Sequence, residues 1–396
     1  MKKIIFSTAL ILMLTGCASV PDEVKVDMNN YHYSKSNASD DFDFNYIKVE
    51  NLSAEAKEAL DKDYGQFAVS DKINFVQPPE INIMSFQNIS DFSDRIDDAK
   101  ALFFTKSELP EKCNDEAFDA LYYYWSDTEK KYFAGRNDGM FAMLKPDAFD
   151  ISFSYSEPNV KIYHPDRRDD LSDEYQLKDG KCSVADAVEY INNWFETNYK
   201  PLAPYYDYQV KTVIVREYEG NYFYQFLVEA LYNGVSLDSY TMEAERIDGE
   251  VTGNMAYSKY GISIQMLSVN SIDSFTTGSG ILIPKAEEKI NECISLESAL
   301  DFCANTFTDF RDVTISDIDI MYTLNPVYET DDEGNLFVSG YNSCPVWEFI
   351  IDVPPEDFLV DGETNTYGDT RKYIYIDMVT GELKYNLDIV KQELGG

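Results

Sequence analysis

Histidine is almost absent: His32 and His164 are the only two in 396 residues. A Ser-His-Asp or Cys-His catalytic arrangement needs a histidine as its base. His32 falls in a polar N-terminal stretch, and His164 precedes Pro165 in a loop-like "IYHPDRRDD". Neither is a candidate base. The chain also lacks a Gly-x-Ser-x-Gly elbow, a Gly-rich phosphate loop and a His-Glu-x-x-His helix. Those absences argue against nucleophilic hydrolysis, phosphate cradling and zinc catalysis. "DFDFNY" (Asp41–Tyr46) opens like a calcium loop, but Tyr46 stands where that loop needs Gly, and its twelfth position is Leu52. A glycosidase needs two carboxylates about 5–10 Å apart, which spacing along the chain does not show. No catalytic residue, metal ligand or cofactor is expected.

Positive charge is scarce. Lys and Arg total 33 against 71 Asp and Glu, a formal net charge of −38. Such a surface repels nucleic acid and anionic headgroups, so DNA and RNA are excluded as partners. The acid excess reads as a solvated surface, with a cation or a basic protein as the sharper alternatives.

Long apolar runs are missing too. No stretch approaches 18 continuous apolar residues, so no transmembrane helix is expected. The N-terminus carries a shorter signal: Lys2 and Lys3, an apolar run from Ile4 to Leu14, then Leu14-Thr15-Gly16-Cys17. This resembles a bacterial lipobox. The resemblance implies cleavage before Cys17 and a diacylglycerol on its thiol. Each buried CH₂ of such a lipid contributes about 0.8 kcal/mol to membrane binding. The expected address is the cell membrane, lipid-anchored, on the extracytoplasmic face. Residues 1–16 would be the signal peptide and 17–41, rich in Asn, Ser and Asp, a flexible tether. With Cys17 lipidated, five of the six cysteines remain, an odd number that cannot pair completely, at spacings that match no metal knuckle. Cys303 falls on the apolar face of a predicted helix and reads as a small buried hydrophobe.

Aromatic residues are abundant, with 30 Tyr and 24 Phe, and they favour strands. Residues 42–178 read as an N-terminal α+β region. Ser53–Leu60, Asp91–Phe103 and Asp115–Trp125 have helical spacing, with Ser53 and Ser90 as N-caps. "KYFAGRNDGMFAML" reads as a hairpin turning at Asn137-Asp138-Gly139, and "FDISFSYS" as a strand.

Beyond Cys182 the chain repeats itself. "SVADAVEYINNWF" (Ser183–Phe195) matches "SLESALDFCANTF" (Ser295–Phe307) as an amphipathic helix behind a capping Ser. Tyr208–Glu217 matches Thr314–Leu324, Phe223–Ala230 matches Val346–Val353, and Thr241–Val251 matches Tyr373–Leu383. The expected fold is α+β: the N-terminal region, then two repeated modules at 181–262 and 293–387, each a helix packed on an antiparallel sheet. Residues 263–292 read as a linker, with a short helical turn at Ala286–Asn291.

The order helix, strands, then "YIYIDMVTGEL" resembles the PepSY family of small extracytoplasmic domains. The residues that carry it are Asp377, Thr380, Gly381 and Glu382, in an Asp-x-x-Thr-Gly-Glu pattern. The upstream copy departs from it, with Glu245 for Asp and Asp248 for Thr. The resemblance implies inhibition or binding of a protein partner in the cell envelope, a protease or a sensor, and not catalysis. The rival reading is a surface solute- or glycan-binding lipoprotein. Its candidate stacking residues are Tyr122, Tyr123, Tyr124 and Trp125 in "LYYYWS", and Tyr205 and Tyr206 in "PLAPYYDY".

Overall fold

The computed structural model describes residues 42–65, 67–89, 92–104, 121–126, 131–136, 139–145, 147–148, 159–237, 246–247, 250–251, 261–277, 280–306, 313–330, 336–352, 359–360, 363–364 and 371–383. Cys17, Ser90, Cys113 and "FDISFSYS" (up to residue 158) lie outside them.

The first part contains β1 (Tyr46–Lys48), α1 (Leu52–Leu60), β2 (Phe67–Val69), β3 (Asn82–Asn88) and α2 (Ile96–Ala101). Then come β4 (Leu121–Ser126), β5 (Lys131–Arg136), β6 (Phe141–Leu144), β7 (Asn159–Tyr163), β8 (Glu174–Gln176) and β9 (Lys181–Ser183). Helix α3 (Val184–Trp194) leads to β10 (Asp207–Tyr218), β11 (Asn221–Tyr232) and β12 (Val235–Leu237). Two-residue strands β13 (Arg246–Ile247) and β14 (Glu250–Val251) pair with each other. Strands β15 (Ile262–Met266), β16 (Ser274–Thr277), β17 (Leu282–Lys289) and β18 (Glu292–Ile294) precede helix α4 (Leu296–Thr306). Strands β19 (Val313–Thr330), β20 (Leu336–Asp352), β21 (Leu359–Val360), β22 (Glu363–Thr364) and β23 (Arg371–Asp377) close the described chain.

Fifteen of these strands form one mixed sheet, with a path β17-β3-β20-β19-β12-β11-β15-β16-β6-β5-β4 and with β10, β7, β2 and β23 attached beside it. This corrects the expectation of an α+β fold built from repeated helix-on-sheet modules. The protein is mostly β, and its described α-helices number only four. A helix precedes a hairpin twice, α3 before β10–β11 and α4 before β19–β20, but these are not separate modules. Strand β12 pairs in parallel with β19, at Ser236↔Met321 and Leu237↔Tyr322, and so joins the two hairpins into one sheet. N-terminal strands also enter the second half: β2 pairs with β19 and β3 with β20. Helical periodicity reports which face a helix buries, but not where the sheet beneath it ends.

Four local expectations also change. Leu121–Ser126 is a strand paired with β5 rather than the end of a helix. The residues read as a linker build β15, β16 and β17, including the stretch read as a helical turn at Ala286–Asn291. The position beside β11 is taken by β15, and the described residues of the segment matched to the closing strand form the small β13–β14 pair. Helix α1 starts at Leu52 behind Asn51, and Ser53 donates its backbone N–H to Gln77 instead of capping.

Other elements form where their residues direct. Ser183 Oγ accepts the Asp186 N–H at 3.0 Å, and Ser295 Oγ accepts the Ser298 N–H at 3.1 Å, so both repeated helices have the expected side-chain N-cap. The β5–β6 hairpin forms as read. Glu219 and Gly220, with φ of +51° and +81°, make the two-residue turn between β10 and β11; positive φ at both positions suits the twist of a hairpin.

Two apolar cores lie under the repeated helices. Val184, Ala187, Val188, Ile191 and Phe195 pack with Val213, Phe226 and Ile264. Leu296, Ala299, Leu300, Phe302 and Cys303 pack with Ile320, Trp347 and Ile376. The N-terminal arm completes the second core. Strand β1 pairs with β18, Phe42 and Phe44 pack on Phe302, and Glu55 of α1 accepts the backbone N–H groups of Leu296 and Glu297 at 3.1 and 2.7 Å. A carboxylate there satisfies donors at the start of α4 and meets the positive end of its dipole.

Candidate functional site

A group of buried and half-buried ionisable side chains sits where the two hairpins meet. Its centre is Lys211. A β-bulge in β10, at the register shift between Val210 and Thr212, takes Lys211 out of the regular ladder. Its Nζ lies 2.7 Å from Asp319 Oδ2 on β19 and 3.1 Å from Asp166 Oδ2 in the loop after β7. Burial pulls the ammonium pKa down, but Asp319, Asp166 and Glu229 outweigh it and hold Lys211 well above its usual range. Next to this triad, Arg167 Nε contacts Asp317 Oδ2 at 2.9 Å, with the two side chains only 8% and 15% exposed. Burial raises the Asp317 carboxyl to about 6, and its neighbours Asp166 and Asp319 add to the rise against the pull of Arg167.

The same seam continues into the sheet. Glu229 is buried and accepts a hydrogen bond from Ser236 on β12. Asp319, Glu348 and Tyr375 stand in register across β19, β20 and β23, which places them on one face. His164 donates its backbone N–H to Asp169, and its Nδ1 lies 3.4 Å from Thr212 Oγ1. Among the described residues, no group of three or more His, Cys, Asp or Glu is arranged to hold a metal ion. Arg167 and Lys211 each contact a carboxylate of β19, so ion pairs span from the first hairpin and its preceding loop to the second hairpin.

The sequence analysis missed this group, although a signal was there. "SDIDIMY" puts Asp317 and Asp319 on one face of a strand whose other face carries Ile318 and Ile320. Two acids on an inward face ask for cations, and Lys211 in "YQVKTVIV" is the matching intrusion in an apolar strand.

The residues singled out from sequence fare differently. Cys17 lies outside the described residues. Tyr122, Tyr123, Tyr124 and Trp125 lie in β4, of which the structure describes only the backbone; in a strand Tyr122 and Tyr124 fall on one face and Tyr123 and Trp125 on the other. Tyr205 is 44% exposed. Tyr206 is buried and donates its hydroxyl to Leu282 O, so it fills a core and offers no stacking face. The free thiols of Cys182, Cys293 and Cys303 are buried, in keeping with the reading of Cys303.

The Asp377–Glu382 pattern has a geometric explanation. Asp377 Oδ1 accepts the backbone N–H groups of Val379 and Thr380 at 2.8 and 3.0 Å, and Asp377 N donates to Glu382 O at 2.9 Å. Thr380 Oγ1 accepts the Glu382 N–H. Gly381 has φ +74°, and a Cβ there would come within 2.4 Å of the Phe44 ring. All four pattern residues therefore serve a self-contained turn pressed against the N-terminal arm.

No family model matches the chain, and no curated protein matches it. A solved structure is similar: the crystal structure of an uncharacterized protein from Eubacterium rectale ATCC 33656, with a TM-score of 0.50 and 17% identity, over 81% of this chain and 92% of that one. At that identity the likeness is one of fold. No helix of the described residues is long and apolar enough to cross a membrane.

Proposed function

We propose that the chain is a non-enzymatic lipoprotein, anchored through Cys17 at the extracytoplasmic face of the membrane, whose body binds a protein partner in the cell envelope, a protease or a sensor. The observation that carries this reading is the Leu14-Thr15-Gly16-Cys17 sequence behind Lys2, Lys3 and the apolar run Ile4–Leu14. The use of the buried charges supports it. Lys211 and Arg167 are engaged with Asp166, Asp319 and Asp317 in holding the sheet together, a structural employment rather than a poised acid and base. The PepSY-like pattern adds the expectation of protein binding.

The test is affinity capture with the body from Asp41 onward immobilised. Solubilised envelope proteins and a polysaccharide panel are passed over it at two salt concentrations, since net charge exaggerates weak contacts at low salt. A saturable protein partner retained at the higher salt is expected. Saturable binding of one glycan and of no protein would overturn the reading.

A further inference from the structure

Four carboxylates and two cations meet where the loop after β7 reaches β10 and β19. Asp317 and Asp319 come from β19, Asp166 and Arg167 from the loop, and Lys211 from β10, while Glu229 of β11 adds its charge. Four acids against two cations leave an excess of two negative charges when every group is ionised. The side chains of Asp166, Asp317, Arg167 and Lys211 are only 8–17% exposed, so an uncompensated charge among them is costly. Such a group lowers its energy by holding a proton. Asp166 Oδ1 is buried and, among the described residues, has no hydrogen-bond partner, as an acceptor waiting for that proton would be. Burial, Asp166 and Asp319 raise Asp317 to about 6 in spite of Arg167. The strands packed beside it add no charge there: β20 places Ile350 opposite Asp317, and β2 brings Phe67–Val69.

Both strands depart from regular pairing at this point. Strand β10 bulges at Lys211 and β19 at Ser316, next to Asp317, and a bulge re-aims the side chains around it. The loop itself is closed on its own backbone. Asp169 accepts the His164 N–H at 2.9 Å, and Arg167 N donates to His164 O at 3.0 Å. It is tied to β19 by Arg167 and Asp317, and to β10 by Asp166 and Lys211 and by His164 Nδ1, 3.4 Å from Thr212 Oγ1. On its other side Lys72 pairs with Asp169, Lys72 O accepts the Arg168 N–H, and Asp71 O and Asn74 Nδ2 meet Arg168 and Asp166 at 3.5 Å.

We propose that the loop from His164 to Asp170 is a proton-operated clasp between the two hairpins: it stays closed while Asp166, Asp317 and Asp319 together hold a proton, and it opens locally once that proton leaves. On opening, Asp317 returns to water and to an ordinary carboxyl value near 3.9, so the closed loop binds the proton more strongly than the open one. Low pH therefore favours the closed clasp, and that advantage is lost as pH rises through about 6. The attraction of Arg167 for Asp317 opposes opening, but it does not bring the folded carboxyl back to its ordinary range. Opening exposes Arg167 beside the already exposed Arg168, so the clasp governs the display of a basic pair on an acidic chain.

The test is hydrogen exchange of the whole chain between about pH 4 and pH 7.5, read at the amides of His164, Arg167 and Arg168 and corrected for the intrinsic pH dependence of exchange. Protection there is expected to fall by up to about a hundredfold across that range, following the gap of about two units between folded and solvated Asp317. At the upper end these amides should exchange about tenfold or more ahead of those of Val213 and Phe226, which open only with the hairpin. Asp317→Asn, an uncharged mimic of the protonated acid, should keep the loop protected throughout. His164→Gln should behave as the native chain does; it removes the other group of the loop that ordinarily titrates in this window. The proposal is overturned if protection does not change with pH, if Asp317→Asn shows the same fall, if His164→Gln abolishes it, or if the loop exchanges together with β10 and β11. Should Asp317→Asn fail to fold, the native and His164→Gln profiles decide.

Discussion

At the scale of single residues, the closing turn is tightly constrained. Gly381→Ala forces a side chain onto a left-handed backbone and into the Phe44 ring. It should cost about 1–3 kcal/mol in urea unfolding. Asp377→Ala should cost about 1 kcal/mol, since the backbone N–H groups of Val379 and Thr380 lose their acceptor. Neutral changes at both positions would mean that the turn does not hold the N-terminal arm. Asp317 predicts a pH effect of opposite sign to an ordinary paired carboxylate. Its folded pKa of about 6 exceeds the unfolded value near 3.9, so between those values the folded state binds more protons. Its contribution to stability is therefore most favourable below about pH 4 and declines as pH rises to 6. Stability curves of the native chain and Asp317→Asn should diverge in that window, with the native chain losing ground as pH rises. Parallel curves would contradict this.

At the scale of elements, sequence and structure agree best where the information is local. Ser183 and Ser295 cap their helices because a hydroxyl can accept an N–H three residues on, a property written in the spacing itself. Ser183→Ala should accordingly cost about 1 kcal/mol. Ile191→Ala, in the middle of the buried stripe of α3, should cost about 2–5 kcal/mol by leaving a cavity. Thermal or urea unfolding of the two variants checks both, and the order of the two costs is the firmer part. The misreadings arose where tertiary pairing overrides local pattern. Leu121–Ser126 has enough aromatic residues for either element, and pairing with β5 makes it a strand. Ser274–Thr277 is polar enough to read as loop, yet it lies between β15 and β6 with Phe275 in the core. Ser53 failed as a cap because the helix begins one residue before it.

At the scale of the whole molecule, the order of helix then hairpin was legible at both places, and the single sheet that takes in both hairpins was not. Strand order depends on contacts between residues far apart in the chain, such as Ser236↔Met321 and Gly340↔Gln87, and periodicity carries no record of those. The charged seam crosses the same junction. Lys211→Met should destabilise the protein by about 3–5 kcal/mol, because Asp319, Asp166 and Glu229 then share a buried site without their cation. A loss below 1 kcal/mol would show that the halves are held by β12 and the apolar cores alone. The seam could have been suspected from Asp317 and Asp319 on one strand face, but its cations come from elements 100 or more residues away, Lys211 being 108 residues from Asp319.

The functional proposal depends first on the anchor. The direct measurement is to grow a bacterial host expressing the native chain, or Cys17→Ala, with an alkyne-tagged fatty acid and to read label and membrane fractionation together. The native chain is expected to carry the label and sediment with membranes, and Cys17→Ala to lose both. An unlabelled native chain, or a Cys17→Ala chain that keeps the label and the membrane fraction, would contradict the anchored reading.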